Sequence, residues 1–138
     1  MTTIEKYVLV VDDEEDIRDF LTMSLSDEGY EVITAPHGAA ALQQARQRPP
    51  QLILLDMRMP VMDGWEFSRA YREAPLPHAP IIVLTAATDA AKFARQIQAN
   101  GFLPKPFNLK ELLKLVRQYM SIDRTQVTQY PTMPTGRT

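Results

Sequence analysis

The chain has 138 residues, of which 45% are hydrophobic and 23% charged, and its formal net charge at pH 7 is -2. These values are typical of one soluble globular domain and give no reason to expect nucleic acid or an anionic membrane as a partner. The chain has no cysteine, which excludes disulfides, thiol catalysis and cysteine-ligated metal. It has neither a secretory pattern nor the ~20 consecutive apolar residues of a membrane helix. We therefore expect a cytoplasmic location.

Short aliphatic runs alternate with helical periodicity along the chain. The predicted strands are Tyr7–Val11, Tyr30–Thr34, Leu52–Leu55, Ile81–Leu84 and Phe102–Leu103. The predicted helices comprise a face of Ile17, Phe20, Leu21 and Leu25, the segment Ala39–Arg46, one or two turns after Gly64, the segment Asp89–Ala99, and a last helix beginning at Phe107 or Asn108. Five strands alternating with five helices predict an α/β fold, a doubly wound parallel sheet with helices on both faces.

The sequence changes character near its end. Residues 121–138 are polar, rich in threonine and without a period. This composition predicts a disordered tail after a domain that spans residues 1–120. The alternative is the start of a linker to a further domain. Since no helix-turn-helix, kinase or cyclase segment follows residue 120, we expect any output to come from a separate partner.

Polar residues follow four of the predicted strands: Asp12 and Asp13 the first, Asp56 the third, Thr85 the fourth and Lys105 the fifth. The carboxyl ends of parallel strands meet at one edge of a sheet, so we expect these side chains to converge. Carboxylates in one small cleft repel unless a cation lies among them, and oxygen ligands suit Mg²⁺ or Mn²⁺. An ammonium group and a hydroxyl also stabilise phosphate, and aspartate can accept a phosphoryl group.

Each of these residues has an ordinary structural reading when taken singly. Asp12 and Asp13 are suited to a solvated helix cap, Thr85 to a hydroxyl bonded to backbone, and Lys105 to a surface position. It is the combination, with Asp56, that points to phosphoryl chemistry.

Four segments carry a family resemblance: V-L-V-V-D-D-E-E, L-I-L-L-D-M-R-M-P-V-M-D-G, V-L-T-A and L-P-K-P-F. Over about residues 5–120 the chain resembles the receiver domain of two-component response regulators, of the single-domain type. The resemblance implies a flavodoxin-like fold with strand order 2-1-3-4-5. It also implies that Asp56 is the phosphoacceptor and that Asp12, Asp13, Asp56 and the backbone carbonyl of Met57 form the Mg²⁺ site.

Further residues receive roles from the same resemblance. Thr85 is expected to contact the phosphoryl group and Lys105 to pair with it, which makes them catalytic together with the acceptor. Thr85 and Phe102 would form the conformational switch. Arg58 and Ala87, two positions beyond the phosphoacceptor and the threonine, would tune the rate of dephosphorylation.

The resemblance also implies the partners. The phosphoryl donor would be a sensor histidine kinase or a phosphotransfer protein, and a downstream protein would bind the face formed by the fourth helix, the fifth strand and the fifth helix. Such a domain signals, and it catalyses only its own phosphorylation and dephosphorylation. Homodimerisation through the same face is left open.

Three alternative functions fit parts of the pattern. A phosphatase or mutase needs a nucleophilic aspartate after the first strand and an acid-base aspartate two residues on, where this chain has Glu14. A binding module that works without phosphorylation would not require the complete set of Asp56, Thr85 and Lys105. A flavin-binding protein is disfavoured because the acidic loop would face the cofactor phosphate.

Overall fold

The computed structural model of the chain describes residues 6–121. Its strands are β1 (Tyr7–Val11), β2 (Glu31–Ala35), β3 (Leu52–Leu55), β4 (Ile81–Ala86) and β5 (Gly101–Lys105). Its helices are α1 (Glu15–Asp27), α2 (Gly38–Gln47), α3 (Gly64–Glu73), α4 (Ala90–Gln96) and α5 (Leu109–Met120). The predicted tail lies outside the described residues, apart from Ser121. Within residues 6–121 no helix is both long and apolar enough to cross a bilayer.

All five strands are parallel and run in the order β2-β1-β3-β4-β5, which confirms the predicted flavodoxin-like sheet. The chain moves outward from β1 to β2 and then crosses back over β1 to form β3. The carboxyl ends of β1 and β3 therefore flank the point where the winding reverses. Doubly wound sheets bind ligands at this crevice.

The sheet is covered on both faces, which explains the unbroken aliphatic runs of its strands. Successive residues of β1 point to opposite sides: Leu9 packs with α2, α3 and α4, whereas Val10 packs with α1 and α5. Every residue of β1 and β3 is buried. The two layers of core fix the central strands and with them the loops at their carboxyl ends.

Two helices differ in length from the sequence prediction. Helix α3 has ten residues instead of one or two turns, and a capping box of Asp63 and Glu66 stabilises its first turn. Helix α4 ends at Gln96 instead of Ala99. Gln98 adopts a left-handed φ of 55°, and the amide of Ala99 donates to the carbonyl of Ala94, a Schellman-type termination.

Candidate functional site

Three carboxylates meet at the carboxyl ends of β1 and β3. Asp12 and Asp13 directly follow β1, and Asp56 directly follows β3, its neighbour in the sheet. One carboxylate oxygen from each residue lies within 4.8 Å of those of the other two. Asp12 and Asp56 are buried, whereas Asp13 is exposed. The group could hold a metal ion. Its ligands are all oxygens and it is open to solvent at Asp13, which suits a divalent cation that keeps several waters, such as Mg²⁺.

Lys105, at the end of β5, reaches across the ends of β4 and β3 to the acidic cluster. Its Nζ atom donates to Asp12 Oδ2 at 2.8 Å and to Glu14 Oε1 at 3.2 Å. The distance from Nζ to Asp56 Oδ1 is 3.9 Å. The shortest contact of the ammonium group is therefore its hydrogen bond to Asp12, and Asp56 lies slightly beyond hydrogen-bond distance. Sequence reasoning missed the contact with Glu14, since one sequence does not show which of several neighbouring acids a lysine contacts.

Backbone hydrogen bonds fix the orientation of the two buried carboxylates. Asp12 Oδ1 accepts from the amide of Glu14 at 2.9 Å. The Arg18 guanidinium donates separately to the main-chain carbonyl of Asp12 at 2.8 Å and so anchors the backbone at this residue. Asp56 Oδ1 accepts from the amide of Met57 at 3.0 Å. Within residues 6–121, Asp56 Oδ2 accepts no hydrogen bond. The second oxygen of Asp56 is therefore the one available for chemistry.

Burial and mutual repulsion disturb the protonation of this cluster. Burial, followed by the charge of Asp12, raises the pKa of Asp56 to about 7, even though the Lys105 ammonium opposes the shift. Burial also raises the pKa of Asp12. For Lys105, burial acts to lower the pKa, but the hydrogen bond to Asp12 and the charges of Asp56 and Asp12 raise it overall. A divalent cation among the carboxylates would favour their ionised forms.

The backbone carbonyl of Met57 already accepts a hydrogen bond within the segment that joins β3 to α3. It accepts a hydrogen bond from the amide of Gly64 at 2.8 Å, and the Met57 side chain is fully buried. A carbonyl oxygen has two lone pairs, so this contact occupies one of them. Its role as a metal ligand stays a prediction.

The remaining sequence-predicted residues are Thr85, Arg58, Ala87 and Phe102, and of these Arg58 lines the cleft that contains Asp56. Thr85 is the penultimate residue of β4 and is buried, with Pro104 of β5 as its neighbour in register. Arg58 and Ala87 are exposed, and Arg58 lines the cleft above Asp56. Phe102 on β5 points outward, with 43% of its surface exposed.

The cleft over Asp56 has a volume of about 640 Å³ and two chemically different parts. Its polar part contains Asp13, Asp56 and Lys105. Its apolar wall is formed by Ile17, Phe20, Pro106 and Phe107. The helical pattern predicts that Phe20 lies on the apolar face of α1, but this residue is 44% exposed, and its ring centroid lies 6.3 Å from that of Phe107. The signal for this wall was the Pro106–Phe107 pair directly after Lys105.

Fold and site together define a doubly wound α/β domain with an acidic cleft at its winding reversal. The family model for the response regulator receiver domain matches residues 8–117. The chain therefore belongs to the receiver domain family of two-component response regulators. Receiver domains interact with histidine kinases or phosphotransfer proteins, and they are signalling domains, not classical enzymes.

Similar proteins agree with this assignment. An uncharacterized 14.6 kDa protein from the sodA1 3' region of Leptolyngbya boryana is 39% identical over 121 residues, covering 86% of this chain and 92% of that protein. The transcriptional regulatory protein KdpE of Mycobacterium tuberculosis is 38% identical over 112 residues, which are 80% of this chain but only 49% of KdpE. The chain thus spans about half the length of that regulator.

A solved structure also matches. The chemotaxis response regulator CheY4 of Vibrio cholerae is 39% identical, with a TM-score of 0.75, and the match covers 84% of this chain and 99% of CheY4.

Proposed function

We propose that this receiver domain is the phosphoacceptor of a His-Asp phosphorelay, that Asp56 accepts the phosphoryl group, and that Mg²⁺ is required. The observation that carries the proposal is the convergence of Asp56 with Asp12, Asp13 and Lys105 in one open cleft. These carboxylates and the ammonium group are the charges that phosphoryl transfer to an aspartate needs. Mn²⁺ has the same ligand preference and could replace Mg²⁺.

The transfer itself needs little covalent chemistry from the protein. Oδ2 of Asp56 attacks phosphorus in line, a new P–O bond forms, and the P–N bond of the donor phosphohistidine breaks. The departing imidazole keeps the electron pair and takes up a proton. Oδ1 of Asp56 stays fixed by the Met57 amide, which orients the attacking oxygen. The bound divalent cation would neutralise charge on the transferring group.

Lys105 and Thr85 would act on the phosphorylated state. The Lys105 ammonium, 3.9 Å from Asp56, is close enough to pair with a phosphoryl group on that residue. Thr85 lies near the carboxyl end of β4, paired in register with Pro104, and would turn its hydroxyl toward the phosphoryl oxygens. Arg58 and Ala87 are exposed, and Arg58 lines the cleft; both side chains would control the approach of water and hence the rate of autodephosphorylation.

The proposed output is a change of surface around Phe102. This ring is exposed beside a groove of about 540 Å³ between α4 and β5, lined by residues that include Ala94, Arg95 and Gly101. We propose that phosphorylation draws Thr85 toward Asp56 and lets Phe102 turn inward, which alters the α4-β5-α5 face recognised by a downstream protein. The net charge of -2 supports a protein partner over nucleic acid or a membrane. Homodimerisation is not needed for this switch.

The donor would approach Asp56 through the cleft. Its apolar wall, with Phe20 and Phe107, offers a surface for the apolar side chains of a helix that carries the donor histidine. The phosphatase alternative receives less support, because Glu14, at the position of the acid-base residue, is ion-paired with Lys105 at 3.2 Å.

The test is intact mass spectrometry after incubation with Mg²⁺ and acetyl phosphate or phosphoramidate. We expect one phosphate adduct on the natural chain, none in excess chelator and none on Asp56→Asn. Asp63→Asn is the matched control, because this residue caps α3, a role that Asn also performs well. No adduct on any variant, an adduct that persists in Asp56→Asn, or multiple turnover of a phosphoester would refute the proposal.

A further inference from the structure

The guanidinium of Arg58 lies over two aromatic rings and not over the acids beside it. Its Cζ atom is 5.2 Å from the centroid of the Phe93 ring and 5.8 Å from that of Trp65. Both distances are within the ~6 Å at which a cation is attracted to the face of an aromatic ring. Arg58 thus rests on an aromatic shelf, defined here as Trp65 of α3 together with Phe93 of α4.

The shelf is a rigid feature. Its two rings meet edge to face, with centroids 4.7 Å apart and an interplanar angle of 72°. Trp65 Nε1 donates a hydrogen bond to Gln96 Oε1 at 2.8 Å, which ties the indole to α4. Phe93 is buried, with 4% of its surface exposed. The position of the rings is therefore set by packing and by a hydrogen bond between the two helices.

The position of Arg58 is unexpected on electrostatic grounds. It lines the same cleft as Asp13 and Asp56, which form a cluster of three carboxylates with Asp12. Among residues 6–121, Lys105 is the lysine that contacts this cluster. The Lys105 ammonium group lies within 4 Å of Asp12, Glu14 and Asp56. Arg58, in contrast, has no ion pair within 4 Å in the described part of the chain. A guanidinium is well suited to bidentate pairing with a carboxylate, so an unrestrained arginine at this place would compete with a metal ion for the acids.

We propose that Trp65 and Phe93 are positioning residues that hold the Arg58 guanidinium away from the acidic cluster and so keep Asp12, Asp13 and Asp56 free for Mg²⁺. This inference rests on the proposed function, since it assumes the metal site described there. It goes further by giving the α3–α4 contact a role in metal affinity. Loss of the shelf lets the arginine fold onto the acids and act as an internal competitor.

The test is the dissociation constant for Mg²⁺, measured by isothermal titration calorimetry on the full chain. Trp65→Leu and Phe93→Leu should each weaken Mg²⁺ binding by about threefold to tenfold, the effect expected from losing one or both ring contacts. Adding Arg58→Ala to either variant should restore binding to the level of Arg58→Ala alone. A purely structural effect of the shelf residues would not be reversed by removing an arginine.

A matched control is Tyr119→Leu, which removes a half-buried aromatic residue from α5 at the opposite edge of the sheet, where its hydroxyl contacts Asn100. It should leave the Mg²⁺ affinity unchanged. If Phe93→Leu fails to fold, Trp65→Leu decides the question, because Trp65 is only half-buried. Unaltered Mg²⁺ affinity in the shelf variant, or weakened affinity that persists after Arg58→Ala, overturns the inference. Absence of Mg²⁺ binding to the natural chain would instead refute the proposed function.

Discussion

Lys105 donates a hydrogen bond to Asp12 at 2.8 Å, although the two residues are 93 positions apart in the sequence. The contact connects the end of the edge strand β5 with the end of the central strand β1. Asp12 is 1% exposed, so Lys105 provides the cation that makes burial of this carboxylate tolerable. Lys105 therefore supports the resting site as well as the phosphorylated state proposed for it.

Replacement of Lys105 by methionine should destabilise the metal-free protein. It removes a charge-assisted hydrogen bond and leaves Asp12 buried without its partner, at a cost of about 1–3 kcal/mol in the free energy of unfolding. Urea denaturation in chelator measures the loss. Arg117→Met is the control, because its ion pair with Glu28 is exposed and should contribute less than about 1 kcal/mol. Equal losses in the two variants would show that the Lys105 pair has no special role.

The pKa of Asp56 predicts how stability depends on pH without metal. The folded state raises this pKa from its ordinary value to about 7, so between these values the folded chain binds more protons than the unfolded chain. This contribution to stability is complete at low pH and is lost as the pH rises through about 7. Melting curves in chelator should show that Asp56→Asn is less sensitive to this rise than the natural chain. Identical pH profiles for both chains would contradict the raised pKa.

Gly64 should tolerate no side chain. A Cβ atom at this position would lie 2.7 Å from Met57 Cα and 3.0 Å from the Asp56 carbonyl oxygen, both of which belong to the backbone. Gly64→Ala must shift the loop that carries Asp56, so we expect a loss of about 1–3 kcal/mol in stability and, under the proposed function, slower phosphorylation by acetyl phosphate. In Gly101→Ala the added atom meets only the flexible end of Ile82 at 3.1 Å. An equally small effect of both substitutions would be evidence against this close approach.

Val61 is strained in the loop between β3 and α3. Its φ is 69°, and the amide of Met62 donates to the carbonyl of Pro60 across it at 2.7 Å, as in a γ-turn. A β-branched residue disfavours this backbone region, whereas asparagine adopts it more readily. Val61→Asn should raise the free energy of unfolding by about 0.5–1 kcal/mol. Val61→Ala keeps a Cβ without branching, so its free energy of unfolding should rise by less. A Val61→Asn variant that is less stable than the natural chain would show that Val61 is not strained.

The sequence was sufficient to predict the fold because both faces of the central strands are buried. The runs Tyr7–Val11 and Leu52–Leu55 have no polar interruption, and their bounds agree with β1 and β3. The strand-end positions of Asp12, Asp56 and Lys105 then determined which edge of the sheet would carry the site. These features are local in sequence or follow from parallel pairing.

Other features depend on contacts between distant elements, which one sequence does not display. The Arg58 contact with Phe93 joins the loop after β3 to α4, and the Phe20–Phe107 wall joins α1 to the segment after β5. Helix α4 was predicted too long because nothing in its composition indicates that Gln98 takes a left-handed conformation. Helix ends of this kind are decided by tertiary packing.

The central claim is that one carboxylate, Asp56, carries the phosphoryl group. Reduction of the phosphorylated chain with borohydride converts an acyl phosphate into a stable alcohol, which peptide mass spectrometry can locate. We expect homoserine at position 56 alone, and only when Mg²⁺ was present during phosphorylation. Modification at position 12, 13 or 63, or labelling that is independent of the divalent ion, would contradict the claim.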